Sequence, residues 1–317
     1  MLTHPTLTAA ESWCAIRPLT PEDARAMAAM RAMVEPHKGK MQGPGARGPF
    51  DAIMLRVVAP EGVSYRQDTV GGVPGWWCEP DGARPDATIL HLHGGWFNWG
   101  SAEAFRALVG HIARSAGAAA FVPDYRLAPE HPFPAAVADV QACYDALTAD
   151  SARRIALTGD SAGGNLALAL LSRTTASGIP PVGTVVMSPV TDLAMTGQSW
   201  DSRAAADPYF TRPQAAALIA SYLGSADPAH PQASPLNGEL AGLPPVRVHV
   251  GDDEVLLDDS RRYVARAVAA GVDARLDVWQ GMPHGFLGGI GRFAAASQAL
   301  SDIGTFLSTL LRPDALR

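Results

Sequence analysis

Residues 154–171 read RIALTGDSAGGNLALALL. A short apolar run ends at Gly159-Asp160-Ser161-Ala162-Gly163, and a helix-forming segment follows at once. Strand, tight turn and helix in that order are the setting in which a G-x-S-x-G pentapeptide forms a nucleophile elbow. The glycines have a mechanical reason: the serine stands on a strained turn with its hydroxyl clear of the sheet, and residues two away must be small where strand and helix cross. The N-terminus of the following helix also favours negative charge developing above the serine. Ser161 is therefore the candidate nucleophile.

Working outward, strands and helices alternate. ATILHLH (87–93) reads as a strand, and residues 102–116 place Phe105, Leu108 and Ile112 on one helical face. AAAFVP (118–123) is a strand, and Val137, Val140, Tyr144 and Leu147 mark a helix. GTVVMS, VRVHV and ARLDVW are further strands, with a helix over 260–270. Such alternation predicts an α/β fold, a mostly parallel central sheet with helices on both faces. Before it, IMLRVV (53–58), VSYRQDTV (63–70) and VPGWWCE (73–79) read as antiparallel strands, after a Gly/Pro-rich linker at 38–50. TPEDARAMAAMRAMVEP (20–36) carries a Thr20 cap, Pro21 and first-turn acids, so it reads as a helix. Residues 190–235 are too long for a structureless loop, so one or two helices such as 212–223 are expected there. The division is 1–45 as an N-terminal cap segment, 46–189 as the first part of the core, 190–235 as a cap insert and 236–317 as the second part of the core.

Composition bounds the function. The chain has 317 residues, 47% hydrophobic and 18% charged, with a formal charge of −6. No run of basic residues suggests nucleic acid or an anionic membrane as partner. Cys14, Cys78 and Cys143 are odd in number and lack metal-site spacing, so incidental thiols are expected and no metal. The N-terminus lacks the basic and apolar regions of a signal peptide, and no stretch approaches a membrane span. A cytoplasmic protein is expected.

A serine hydroxyl needs a base. After an elbow of this kind the acid and then the histidine follow in chain order. His249 lies inside VRVHV and reads as a core residue; His230 lies in DPAHP and reads as solvent-facing. His284, in the loop QGMPHGF directly after the last strand, is the candidate base. The acid lies among Asp252, Asp253, Glu254, Asp258 and Asp259, of which Asp258, Asp259 and Ser260 suit a helix cap. Position in the loop does not choose among them.

HLHGGW (91–96), DYRLAPEHPFPAAVAD (124–139), GDSAGGN (159–165), SPVTDL (188–193), GLPPVRVHVGDDEVLLDDS (242–260) and PHGF (283–286) together resemble the hormone-sensitive-lipase-like, or bacterial family IV, carboxylesterases of the α/β-hydrolase fold. The resemblance covers most of the chain from about residue 85. It implies a Ser-acid-His triad, a cap, no cofactor and a small-molecule ester substrate; it also allows a homodimer, for which no local signal stands in the chain. The family pattern D-P-L-x-D-E, laid on E-V-L-L-D-D, puts Glu254 at the catalytic position and Asp258 at the second, with Asp253 and Asp258 as alternatives. Glu254 lies thirty residues before His284, the family's usual spacing, but glutamate replaces the family's aspartate.

The resemblance also assigns an oxyanion hole to the backbone N–H groups of Gly95, Trp96 and Ala162. Here Trp96 stands where the family has its third glycine, and a tryptophan serves as well if its backbone conformation is not reserved for glycine. His93 reads as loop scaffold, and Gly94, Phe97 and Trp99 as substrate contacts, with the Trp96 side chain either packing behind the loop or walling the pocket. The expected reaction is hydrolysis of short acyl esters through an acyl-enzyme. A lactonase, deacetylase or amidase would use the same residues, and a non-catalytic receptor on this fold would lack the nucleophile or base.

Overall fold

The computed structural model describes residues 12–149 and 153–312. One nine-stranded sheet runs through it, in the order β1-β9-β8-β7-β6-β4-β5-β3-β2. The strands are β1 Cys14–Arg17, β2 Val63–Val70, β3 Val73–Pro80, β4 Arg84–Leu92, β5 Ala118–Pro123, β6 Arg154–Asp160, β7 Gly183–Met187, β8 Val246–Gly251 and β9 Ala274–Trp279. From β5 through β1 all neighbours are parallel; β3 is antiparallel to β5, and β2 to β3. The central strands read as near-continuous apolar runs because helices cover both faces. Along β4 the side chains alternate between two hydrophobic layers, Ile89 to one and Leu90 to the other.

The helices are α1 Pro21–Val34, α2 Arg47–Met54, α3 Ala102–Ala116, α4 Ala135–Thr148, α5 Ser161–Ala176, α6 Ser199–Ser202, α7 Arg212–Leu223, α8 Leu257–Ala269 and α9 Ala294–Leu310. Their starts follow local chemistry. Thr20, Ser101 and Thr211 each accept an amide of the first turn of α1, α3 and α7. The insert between β7 and β8 holds α6 and α7, as its length predicts.

Three segments differ from the sequence reading. IMLRVV is not a strand: α2 runs through Met54, and Leu55 N–H still bonds the Asp51 carbonyl. Its apolar run misleads because Leu55 and Val58 are 54% and 81% exposed, with no sheet neighbour among the described residues to cover them. The stretch 38–50, read as linker, likewise ends inside α2, where Phe50 packs on Trp99 and Phe105. β1 lies within the stretch read as cap, and it joins the sheet edge in parallel register with β9. Residues 1–11 of that stretch, on which the signal-peptide reading turns, lie outside the described residues.

Candidate active site

Strand β6 ends at Asp160, and Ser161 follows with φ +54°, a left-handed conformation that few non-glycine residues adopt. The turn is held by packing. A Cβ on Gly163 would stand 1.9 Å from the Leu92 carbonyl, and one on Gly159 would stand 2.4 Å from the Gly163 carbonyl. Only glycines let α5 cross this close to β4 and β6. Ser161 is 3% exposed, and as the first residues of α5, Ser161 and Ala162 have amides with no helical acceptor.

The ends of β7 and β8 lie beside it, since Asp160 is level with Met187 and Met187 with His249. Beyond β8 the chain turns so that Glu254 is fully buried. Its Oε1 accepts the Gly251 amide at 2.6 Å and the Ser188 hydroxyl at 2.8 Å, while Oε2 lies 2.8 Å from His284 Nδ1. The loop carrying His284 fits closely against this turn: Asp253 N–H bonds the Met282 carbonyl, and a Cβ on Gly251 would stand 2.0 Å from it. Glu254 and His284 are thus brought together. The other acids are used elsewhere. Asp253 pairs with Arg31 of α1 at 2.6 Å, Asp258 accepts the Ser199 amide at 2.9 Å, and Asp252 accepts the Gly281 amide at 2.6 Å.

The loop after β4 faces the elbow. Gly94 N–H donates to Asp160 Oδ1 at 3.0 Å. His93 Nδ1 lies 2.9 Å from the Gly94 carbonyl, and the Gly95 carbonyl accepts Asn98 and Trp99 amides at 3.0 and 2.8 Å. A trans peptide points its C=O and N–H in opposite directions. Anchoring those two carbonyls therefore turns the Gly95 and Trp96 N–H groups the other way, and among the described residues neither has a hydrogen-bond acceptor. Trp96 and Phe97 both have positive φ, +53° and +60°. Two left-handed non-glycine residues cost about 1–2 kcal/mol each, so the surroundings must hold them.

The α/β hydrolase fold profile matches residues 89–288. A crystal structure of an esterase from the bacterial hormone-sensitive lipase family is 38% identical, with a TM-score of 0.86 over 93% of this chain and all of that one. This chain is an α/β hydrolase of the bacterial hormone-sensitive-lipase family. The hydrolase is also similar to an acetyl-hydrolase of Streptomyces hygroscopicus, 40% identical over 68% of this chain and 73% of that protein. An esterase of Acinetobacter venetianus is 37% identical over 78% and 83% of the two chains. A structure of EstE5 soaked with p-nitrophenyl butyrate is 36% identical, with a TM-score of 0.82 over 92% of this chain and 99% of that chain.

In this hydrolase the aromatic residues after Gly95 have separate positions. Trp96 is buried, edge-on to Phe210 at 5.3 Å and 6.4 Å from Trp200, and Phe210 in turn lies edge-on to His284 at 5.0 Å. Phe97 stacks flat on Tyr222 of α7 at 3.8 Å. Trp99 gives its indole N–H to the Gly43 carbonyl and packs on Phe50. Gly94 and Trp99, expected as substrate contacts, are thus tied to Asp160 and to the N-terminal segment. His93 stacks on Tyr125 at 4.2 Å, and burial pulls its pKa down to about 4, so it is a neutral ring at physiological pH.

Burial pulls the His284 pKa down, but the hydrogen bond and charge of Glu254, helped by Asp207 and Asp160, carry it above the ordinary imidazole value. His249 is buried in β8 against Trp279, its pKa lowered by burial, and His230 is exposed. Asp259 does not cap α8, whose N-cap is Leu256. It is buried and accepts the Thr191 and Asp192 amides, and burial together with Asp192 raises its pKa well above the carboxylate range. Among the described residues no group of His, Cys, Asp and Glu could hold a metal, and no helix is long and apolar enough to cross a membrane.

Three residues of the site escape sequence reading. Ser188, with φ +46°, donates to Glu254; its SPVTDL motif is visible, but nothing in it points to a carboxylate 66 residues away. Asp207 accepts the amides of Tyr209, Phe210 and Val255. Asn98 holds the loop described above to α7.

Proposed function

We propose that this hydrolase cleaves short-chain carboxylic esters by acyl transfer, with Ser161 as nucleophile, His284 as base and Glu254 as the acid that orients it. The chain is a carboxylic ester hydrolase. The observation that carries the finer reading is the 2.8 Å contact of Glu254 Oε2 with His284 Nδ1, at the carboxyl end of the sheet where Ser161 stands on its elbow. With Nδ1–H given to Glu254, Nε2 of the neutral imidazole is free to take the serine proton. Glutamate reaches one methylene further than aspartate, and the Gly251 amide and Ser188 hydroxyl fix the longer arm.

Ser161 Oγ attacks the ester carbonyl as His284 removes its proton. The oxyanion falls to the N–H groups of Gly95, Trp96 and Ala162, each contributing about 3 kcal/mol to transition-state stabilisation in sites of this type. His284 then protonates the leaving alcohol, and water, deprotonated by the same imidazole, releases the acid. Residues 18–45 and the insert 190–235 form the cap in this reading. The aromatic wall of Trp96, Phe210 and Trp200 beside His284 supports a preference for short acyl groups. So do the acetyl-hydrolase similarity and the p-nitrophenyl butyrate soak of EstE5.

The test is hydrolysis of p-nitrophenyl acetate, butyrate and octanoate by the wild type and by Ser161→Ala. Turnover is expected to favour acetate and butyrate and to vanish in the variant. Activity persisting in folded Ser161→Ala removes the nucleophile assignment, and a preference for octanoate removes the short-chain reading.

A further inference from the structure

We infer that Asn98 is a positioning residue for the oxyanion loop and ties the donors of that loop to helix α7; this rests on the acyl-transfer reading above. Asn98 is buried, and its side chain is used on both sides. Nδ2 donates to the Trp96 carbonyl at 2.6 Å and to the Leu218 carbonyl at 3.1 Å, and Oδ1 accepts the Ser221 hydroxyl at 2.9 Å. Leu218 and Ser221 belong to α7, more than a hundred residues away in sequence. The backbone of Asn98 takes part as well: its N–H holds the Gly95 carbonyl, and its carbonyl accepts Arg47 Nε at 2.9 Å.

These bonds act on the peptide that matters. The Gly95 carbonyl, held by the backbone N–H groups of Asn98 and Trp99, sets the direction of the Trp96 N–H across the same peptide plane. The Trp96 carbonyl, held by the Asn98 side chain, keeps the next peptide from turning over. With a glycine at 96, a left-handed backbone would need no such restraint. With tryptophan and then phenylalanine in that region, the relaxed conformation has negative φ and a differently aimed donor. Asn98 is the residue that lets Trp96 stand in for glycine.

The second arm has a functional meaning. Because the same side-chain amide grips Leu218 and Ser221, removing its hold on α7 also loosens its hold on the Trp96 carbonyl.

The experiment measures kcat and KM for p-nitrophenyl acetate, and inhibition by a short trifluoromethyl ketone, which forms a tetrahedral oxyanion adduct on a reactive serine. Asn98→Ala is expected to lower kcat by about 10- to 100-fold, to leave KM within about threefold, and to weaken the ketone in parallel with kcat. Asn98→Asp, which points acceptors at two carbonyls, should do at least as much. Ser221→Ala should lower kcat by about threefold or more, again in step with the ketone. A folded Asn98→Ala whose kcat and ketone affinity match the wild type overturns the inference, as does a change confined to KM. If the Asn98 variants do not fold, Ser221→Ala decides by the same two readings. Failure of the acyl-transfer reading looks different: the wild type itself then binds no ketone.

Discussion

Asp207 Oδ2 accepts the backbone amide of Val255 at 2.9 Å, one residue past Glu254. Its Oδ1 accepts the amides of Tyr209 and Phe210 at 2.8 and 2.9 Å. One buried carboxylate thus joins the turn bearing Glu254 to the segment bearing the ring against His284. Lys38 reaches the Asp207 carbonyl, and Arg31 spans the neighbouring Ala206 carbonyl and Asp253, so α1 and the residues after it brace the same junction. Asp207→Asn keeps the shape but removes a negative charge that favours protonated His284. We expect kcat to fall by about tenfold and the acid limb of kcat/KM to move to lower pH. A pH–rate profile identical to the wild type would limit Asp207 to a structural part.

Glu254→Gln presents an amide where the wild type has three donors, from Gly251, Ser188 and His284. Turnover should drop by roughly 10⁴-fold, as when a triad carboxylate becomes an amide elsewhere. Asp258→Asn, whose oxygen accepts only the Ser199 amide among its described bonds, should retain most activity. Stopped-assay rates for the two purified variants check this, and the reverse ranking would transfer the acid role to Asp258.

The pH dependence follows from His284. In the proposed mechanism it must be neutral to act as base, and its pKa is raised by Glu254 against the opposing effect of burial. As pH falls through that value kcat/KM falls, so the acid limb should lie above the ordinary imidazole value of about 6.5. Stability runs the other way. The pair's contribution is present in full below the unfolded imidazole pKa and is lost as pH rises through the folded one. Rate profiles and urea titrations across pH 5–9 (about the span of an imidazole titration) read the two trends in one protein.

Trp96→Gly removes a buried indole and relieves a left-handed tryptophan at once. Losing the indole costs about 3–5 kcal/mol, offset by about 1–2 kcal/mol of backbone relief. The net loss is about 1–4 kcal/mol in urea unfolding. The ring packs on Trp200 and also backs Phe210 beside His284, so acyl preference should shift toward longer chains. An unchanged chain-length profile would make Trp96 packing alone.

The elbow, the central strands and the insert helix were legible because each is written in contiguous residues: an apolar run, a glycine pair, a capped amphipathic segment. β1 was not, being four residues whose only strand partner among the described residues is β9, far along the chain. α2 was misread because its apolar residues include exposed ones, and periodicity does not report exposure. Glu254 was reachable only through the family pattern, since the run of acids around it gives no local reason to prefer one. Ser188, Asp207 and Asn98 act through partners 66, 48 and 120 residues away. Their meaning lies in contacts that no window of sequence contains.

Ser161 is 3% exposed and the His284 side chain 11%, under a roof fastened to the loop after β4 by Asn98 and to the turn after β8 by Asp207. In the proposed reading an ester must pass this roof before it meets Ser161, so the shape of the insert sorts esters by access before any chemistry begins.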